Sequence, residues 1–237
     1  MNWTQQVRTW HKWISVVVGI QLLAWTTGGL VFTLEPIEVI HGDMMRAPVT
    51  SPTSPPTDEF ISLSAARATA GPVELASAEL AWMRERWVWA LHPINDGALL
   101  LVDARNNQRL ESLSAEEAEA IARRHHAGPE EIIAVEHLDT AEGEYRKKIV
   151  PAWRVSFADS ENSNFYIDAN TGAITSVRTD TWRRFDFFWM LHIMDYDDRE
   201  NFNHPLLTGA AVLGFSTAFT GIWLAVLVLR PRKRKDA

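Results

Sequence analysis

The chain has no cysteine among its 237 residues. That excludes disulfides, thiolate metal sites and c-type haem attachment in any compartment. Several enzyme signatures are missing as well: no G-x-G-x-x-G, no Walker sequence, no H-E-x-x-H and no Ser-His-Asp order of a hydrolase occurs. A flavin or nicotinamide site within the chain is therefore not expected, and a reductase built on it would draw electrons from another subunit. Charge is also missing from two long stretches, 13–34 and 205–229. The first holds 22 residues. As a helix it would be about 33 Å long, enough for a hydrocarbon core of about 30 Å. Only a helix closes its own backbone hydrogen bonds there.

The first apolar run is too long for a usual signal-peptide core, and no A-x-A-like site follows it, so an uncleaved anchor is expected. The formal charge of -7 is unevenly spread. Residues 1–12 carry Arg8 and Lys12 and no acid, the tail from Arg230 carries five basic residues against Asp236, and the acidic excess falls between. Basic ends beside membrane spans stay in the cytoplasm. The expectation is a bacterial inner-membrane protein with both termini cytoplasmic and the central domain periplasmic. The basic tail reads as this topology signal, and no nucleic-acid partner is expected.

In chain order, residues 1–45 read as a cytoplasmic N-terminus and first transmembrane helix. Residues 46–57 form a Pro/Ser/Thr linker, APVTSPTSPPT over Ala47–Thr57. Residues 58–179 are a folded extracytoplasmic domain, 180–203 an interfacial aromatic segment, 204–230 a second transmembrane helix and 231–237 a basic cytoplasmic tail. In the second span, Ala210, Gly214, Ala218, Gly221 and Ala225 recur at spacings of four and three, a small-residue face that suits close helix packing in lipid. Two helices alone make a thin membrane domain, so a homo-oligomer or larger membrane complex is expected, with a possible electron-donor subunit. Trp182–Tyr196 (WRRFDFFWMLHIMDY) reads as an amphipathic helix at the outer membrane face.

The middle domain contains a repeat. Unit one opens with LSAARATAG from Leu63 and unit two with LSAEEAEAIARRHHAG from Leu113; Ser114 and Glu117 spell a capping box. Each helix leads into strands. Trp87 in unit one is matched with Trp153 in unit two, and Asp103-Ala104 with Asp168-Ala169. DANTG is a turn in which Asn or Gly takes positive φ; unit one has Asn106-Asn107 in place of Thr-Gly. The fold class is α+β, a helix packed on an antiparallel sheet in each repeat, flanked by two transmembrane helices.

Helix, then W-x-V, then the turn D-A-x-T-G resembles the PepSY repeat. Arg8, His11, Lys12 and Trp13 with Thr27-Gly28, and Leu191-His192 with Thr220-Gly221, resemble the helices of PepSY-associated membrane proteins. That family includes inner-membrane ferric-siderophore reductases that carry haem ligated by helix histidines.

Four histidines lie at or near the membrane: His11, His41, His192 and His204. Neutral imidazole is the commonest haem ligand open to a chain without cysteine. The resemblance implies that His11 and His192 are cofactor-binding positions for a haem b. On opposite membrane faces they cannot share one haem, so His192 would pair with His41 or His204 outside, and His11 with the His11 of a second copy inside. The expected function is a haem-bearing electron-transfer subunit supporting extracytoplasmic ferric-chelate reduction. Its rival is a cofactor-free binding or regulatory module acting on a peptidase or assembly partner. An interfacial histidine is also an ordinary membrane anchor, as are its tryptophan neighbours. Asp195, Asp197, Asp198 and Glu200 lack the spacing of a calcium loop and read as a solvated acidic turn.

Overall fold

A computed structural model describes residues 3–50, 52, 60–94 and 98–229. Most of the Pro/Ser/Thr linker and the whole basic tail lie outside the described residues. The chain divides into a membrane unit, residues 1–36 with 184–237, and a folded unit, residues 37–183.

In the membrane unit, α1 (Trp3–Leu34) and α6 (Pro205–Leu229) are both long and apolar enough to cross a bilayer. Their contact follows from sequence spacing. The shielded positions of α1 include Thr4, Val7, His11, Ile14, Val18, Gln21, Trp25, Gly28 and Phe32, alternating three and four residues apart. Those of α6 include Leu207, Ala210, Gly214, Thr217, Gly221 and Leu224, with the same alternation. A repeat of 3.5 residues is the seam of a left-handed helix pair. The helices run antiparallel: Thr220 meets His11, and the start of α6 lines a groove with Val17–Trp25. Of the five small residues expected on the packing face, Ala218 and Ala225 turn outward, because the seam steps through Thr217 and Leu224 instead. Helix α5 (Asp180–Ile193) ends within this unit. Its aromatic side chains pack along α1: Phe185 lies 4.8 Å and Trp189 6.0 Å from the Phe32 ring.

In the folded unit, strands β1 (Leu75–Met83), β2 (Arg86–Pro93), β3 (Leu100–Asp103) and β4 (Arg109–Leu110) form one antiparallel sheet. Strands β5 (Ile132–Leu138), β6 (Ala152–Phe157), β7 (Asn164–Asp168) and β8 (Ile174–Arg178) form the other. Helix α3 (Leu63–Ala70) lies on the first sheet, burying Ala66 and Ala70 against Leu91 and Val102. Helix α4 (Ala115–His125) lies on the second, burying Ala118 and Ala122 against Val155, Phe157, Phe165, Ile167 and Val177. Alanines on the buried helix faces let the backbone approach the sheet. The expected α+β repeats are therefore present.

The repeat aligns differently from its most visible sequence matches. The helix caps are Ser62 and Ser114, so Ile61-Ser62 corresponds to Leu113-Ser114 and the shared LSA strings are two residues out of step. The Trp89 indole donates to the Ile61 carbonyl at 3.1 Å, and the Trp153 indole to the Leu113 carbonyl at 3.0 Å. Trp89 pairs with Val102, one residue before Asp103, and Trp153 with Ile167, one residue before Asp168. The partner of Trp153 is thus Trp89, not Trp87. The turns do correspond as matched. Asp103 Oδ1 accepts from the amides of Arg105 and Asn106, and Asp168 Oδ1 from those of Asn170 and Thr171. Asn107 at φ 60° takes the left-handed place that Gly172 holds at φ 73°.

Residues before the linker belong to this unit. Ala47 donates to the His125 carbonyl at 2.8 Å, Ala127 donates to Met45 at 2.9 Å, and Met45 packs on the second repeat's core. Past α2 (Ile37–Ile40) the chain therefore docks on the second repeat before it crosses to the first.

Candidate functional site

Thr27-Gly28 of α1 and Thr220-Gly221 of α6 each set a glycine beside a histidine, while Gly209, in the second Thr-Gly of α6, has no neighbour within 4 Å. A Cβ added to Gly221 of α6 would stand 3.2 Å from His11 Cε1, and one added to Gly28 of α1 would stand 3.9 Å from His192 Nδ1. Gly221 thus leaves His11 room that a side chain would take, whereas a Cβ at Gly28 would make only ordinary contact with the His192 ring.

His11 is oriented by a hydrogen-bond chain. Its Nδ1 is 2.8 Å from Thr220 Oγ1, and that hydroxyl lies 2.8 Å from the Ser216 carbonyl. The carbonyl can only accept, so the hydroxyl proton goes to it and Nδ1–H donates to the hydroxyl. Nε2 then carries the lone pair, with Ser15 Oγ as a distant neighbour at 3.4 Å. With Nδ1 bonded away, Nε2 is the nitrogen that would face a metal, in place of its long contact to the Ser15 hydroxyl. Beside it a cavity of about 270 Å³ is lined by Trp3, Trp10, Ile14 and Thr217, among others.

His192 lies among rings, 6.1 Å from Trp25 and 5.6 Å from Phe32 between centroids. Its Nδ1 is buried and lacks a hydrogen-bond partner. The backbone here is tied down: Trp25 Nε1 donates to the His192 carbonyl at 2.8 Å and Gln21 Nε2 to the Leu191 carbonyl at 3.4 Å. His11 and the Gly28 level of His192 are seventeen residues apart on α1, about 25 Å along the axis.

The other two sequence candidates differ. His204 Nε2 is 2.9 Å from the Ile193 carbonyl, and its Nδ1 accepts from Leu207 N at 3.5 Å. Nε2 donates to the last carbonyl of α5 and Nδ1 caps the start of α6, so the ring is held between two helix ends. His41 belongs to the folded unit, exposed after α2 on the wall of a polar cleft. Among the described residues no three His, Asp or Glu side chains converge as a metal site. The acidic turn closes on itself: Asp195 Oδ2 accepts from the amides of Glu200 and Asn201, and Asp186 pairs with Arg199.

Sequence reasoning missed a polar network in the folded unit. Glu144 accepts from Arg183 Nε at 2.7 Å, Tyr166 OH at 2.8 Å and Asn164 Nδ2 at 2.5 Å. Burial pushes the Glu144 carboxyl up, but these donors outweigh it and hold it below its ordinary range; burial and the carboxylate together push the Tyr166 phenol up. Nothing in the spacing of these four residues marks them as partners. His126, buried and bonded to Asp159 at 3.1 Å while stacked on Phe157, is likewise a packing histidine.

Two bilayer-length helices around paired helix–sheet repeats define a PepSY-type membrane protein. The family described as PepSY-associated TM region matches residues 8–237, so the chain belongs to it. No curated protein and no solved structure matches the chain.

Proposed function

We propose that the protein is a haem-bearing electron-transfer subunit of the bacterial inner membrane, serving ferric-chelate reduction by the extracytoplasmic side. The observation that carries this reading is the duplicated Thr-Gly and histidine contact, one near each end of α1. Ionisable groups at membrane depth are costly and functional by default. The donor chemistry fits haem b: His11 offers an oriented Nε2 lone pair, and His192 a ring that no hydrogen bond engages. These two residues would hold the group, and haem would supply one-electron transfer.

Their separation along α1 would make two levels, at each of which further side chains would help to hold the group. His204 is held between two helix ends, so those side chains would come from another copy or another subunit. An oligomer would meet that requirement, and an electron-donor partner would supply what a chain without flavin or nicotinamide motifs lacks. The aromatic rings around His192 would exclude water, and Thr220 would fix the His11 tautomer. The basic ends support a topology with both termini in the cytoplasm and the folded unit in the periplasm.

The test is haem-to-protein ratio and the reduced absorption spectrum after matched, haem-replete expression. His11→Ala and His192→Ala should each remove part of the haem, with losses that add, while His125→Ala and His204→Ala keep wild-type content. Colourless wild-type protein, or full haem in both ligand variants, would leave the cofactor-free binding module as the better reading.

A further inference from the structure

The folded unit is acidic, with 23 acidic against 14 basic residues over 37–183. One cleft reverses that sign. It has a volume of about 430 Å³, and Arg46, Lys148 and Arg178 line it together with His41, Trp182 and a single acid, Asp43. The turn at Gly42 closes over the edge strand β8, where an added Cβ would stand 2.8 Å from Val177 Cγ1. That closure brings Arg46 beside Arg178, which sits with its guanidinium 4.1 Å over the Trp182 ring. The Arg46 guanidinium is underused: Nε is buried without a hydrogen-bond partner, and Asp43 is 3.8 Å away. Two guanidinium groups and an ammonium around a polar cleft suit a phosphate group.

Large exposed apolar side chains flank the cleft residues in sequence. Met44 is 70% and Ile149 61% exposed, each adjacent in sequence to the cleft residues. Large apolar side chains beside basic ones are the pattern of a surface that meets a bilayer at its headgroups. Chain connectivity agrees. His41 follows Leu34, the end of α1, by seven residues, and Trp182 lies two residues before Arg184, where the membrane unit resumes. Both tethers to the membrane helices start at this cleft.

We propose that the cleft is a headgroup site for an anionic phospholipid, with Arg46, Lys148 and Arg178 on the phosphate and Met44 and Ile149 in the acyl boundary. The site is independent of any haem. Bound lipid would clamp the folded unit to the bilayer at the root of both tethers.

The experiment uses the full chain in nanodiscs containing phosphatidylglycerol or phosphatidylcholine, with retained lipid counted by native mass spectrometry after release. Wild type should retain phosphatidylglycerol over phosphatidylcholine. Lys148→Gln should cut that preference about five-fold, as expected for one basic residue at an anionic surface, and Arg46→Gln/Lys148→Gln should cut it further. Arg67→Gln/Arg109→Gln removes equal charge from the first repeat and should change nothing. Lys148 is exposed, so its single variant tests the site even if loss of Arg46 unfolds the turn. Met44→Ser/Ile149→Ser should weaken lipid retention without creating affinity for inorganic phosphate. Equal retention in wild type and Lys148→Gln would overturn the proposal. So would displacement of the lipid by millimolar phosphate with no effect of Met44→Ser/Ile149→Ser, which would identify a free-anion site.

Discussion

Glu144 shows how one side chain organises polar groups scattered along the sequence. Arg183 reaches it with two nitrogens, Nε at 2.7 Å and Nη2 at 3.2 Å, while Tyr166 and Asn164 approach from β7. Tyr145, beside it in the chain, stacks on Tyr166 with ring centroids 4.4 Å apart and donates to the Ile149 carbonyl at 2.8 Å. The Glu144 carboxyl titrates below its ordinary 4.5 in the folded protein. Its contribution to stability is therefore fully present above about pH 4.5 and is lost as pH falls through the folded value. Glu144→Gln removes the charge and leaves Arg183 with Asp180 alone among these carboxylates. The expected cost is about 1–3 kcal/mol at neutral pH, the range for stripping a partner from a buried polar group. Thermal unfolding of the solubilised protein should show a gap between wild type and variant that is constant from about pH 5 to neutrality and narrows below about pH 4.5. A gap that persists unchanged in acid would mean that the carboxylate charge is not what stabilises the network.

The helix pair gives a similarly direct comparison between two glycines on one face. Gly221 and Gly214 both lie on the α6 seam, yet a Cβ at Gly221 meets His11 at 3.2 Å and one at Gly214 meets nothing within 4 Å. Gly221→Leu should therefore destabilise the solubilised protein by about 1–3 kcal/mol through overpacking, and Gly214→Leu should be near neutral. Equal melting temperatures for the two variants would show that the α1–α6 contact is not made at His11. The sequence announced this contact only in part. Small residues at three- and four-residue spacing marked a close-packing helix, but the choice between Ala218 and Thr217 depends on which partner residues occupy the seam, which one helix's own pattern does not contain. The same holds for the repeat. The Asp-Ala turns were legible because an Asx turn is built from neighbours. The tryptophan match was not, because Trp87 and Trp89 are two apart on one strand and only the indole bond to Ile61 distinguishes them. At the candidate site, the histidines and Thr-Gly pairs were legible as motifs. That Gly221 of α6 seats His11 of α1, that Gly28 of α1 lies beside His192 of α5, and that His204 is held between two helix ends are facts of three-dimensional contact.

At the scale of the molecule, the proposed sidedness rests on charge. The apolar helices would insert in either direction; what distinguishes the two directions is where the lysines and arginines are. Residues 1–12 hold two basic residues and no acid, and 230–237 hold five basic residues and one acid. Moving such ends across a membrane opposes the positive-inside bias, whereas a segment as long as the folded unit translocates largely regardless of its charge. A reporter enzyme active only in the periplasm, fused after Thr57, should be active, and the same reporter fused after Lys235 should be silent. Replacing all five basic residues of the tail with glutamine should raise the activity of the second fusion, because the loops near each span contribute to the bias. The reverse pattern in the two parent fusions would place the folded unit in the cytoplasm. It would then exchange the faces assigned to His11 and His192, so that any haem level near Gly28 would face the cytoplasmic reductant rather than an external ferric chelate.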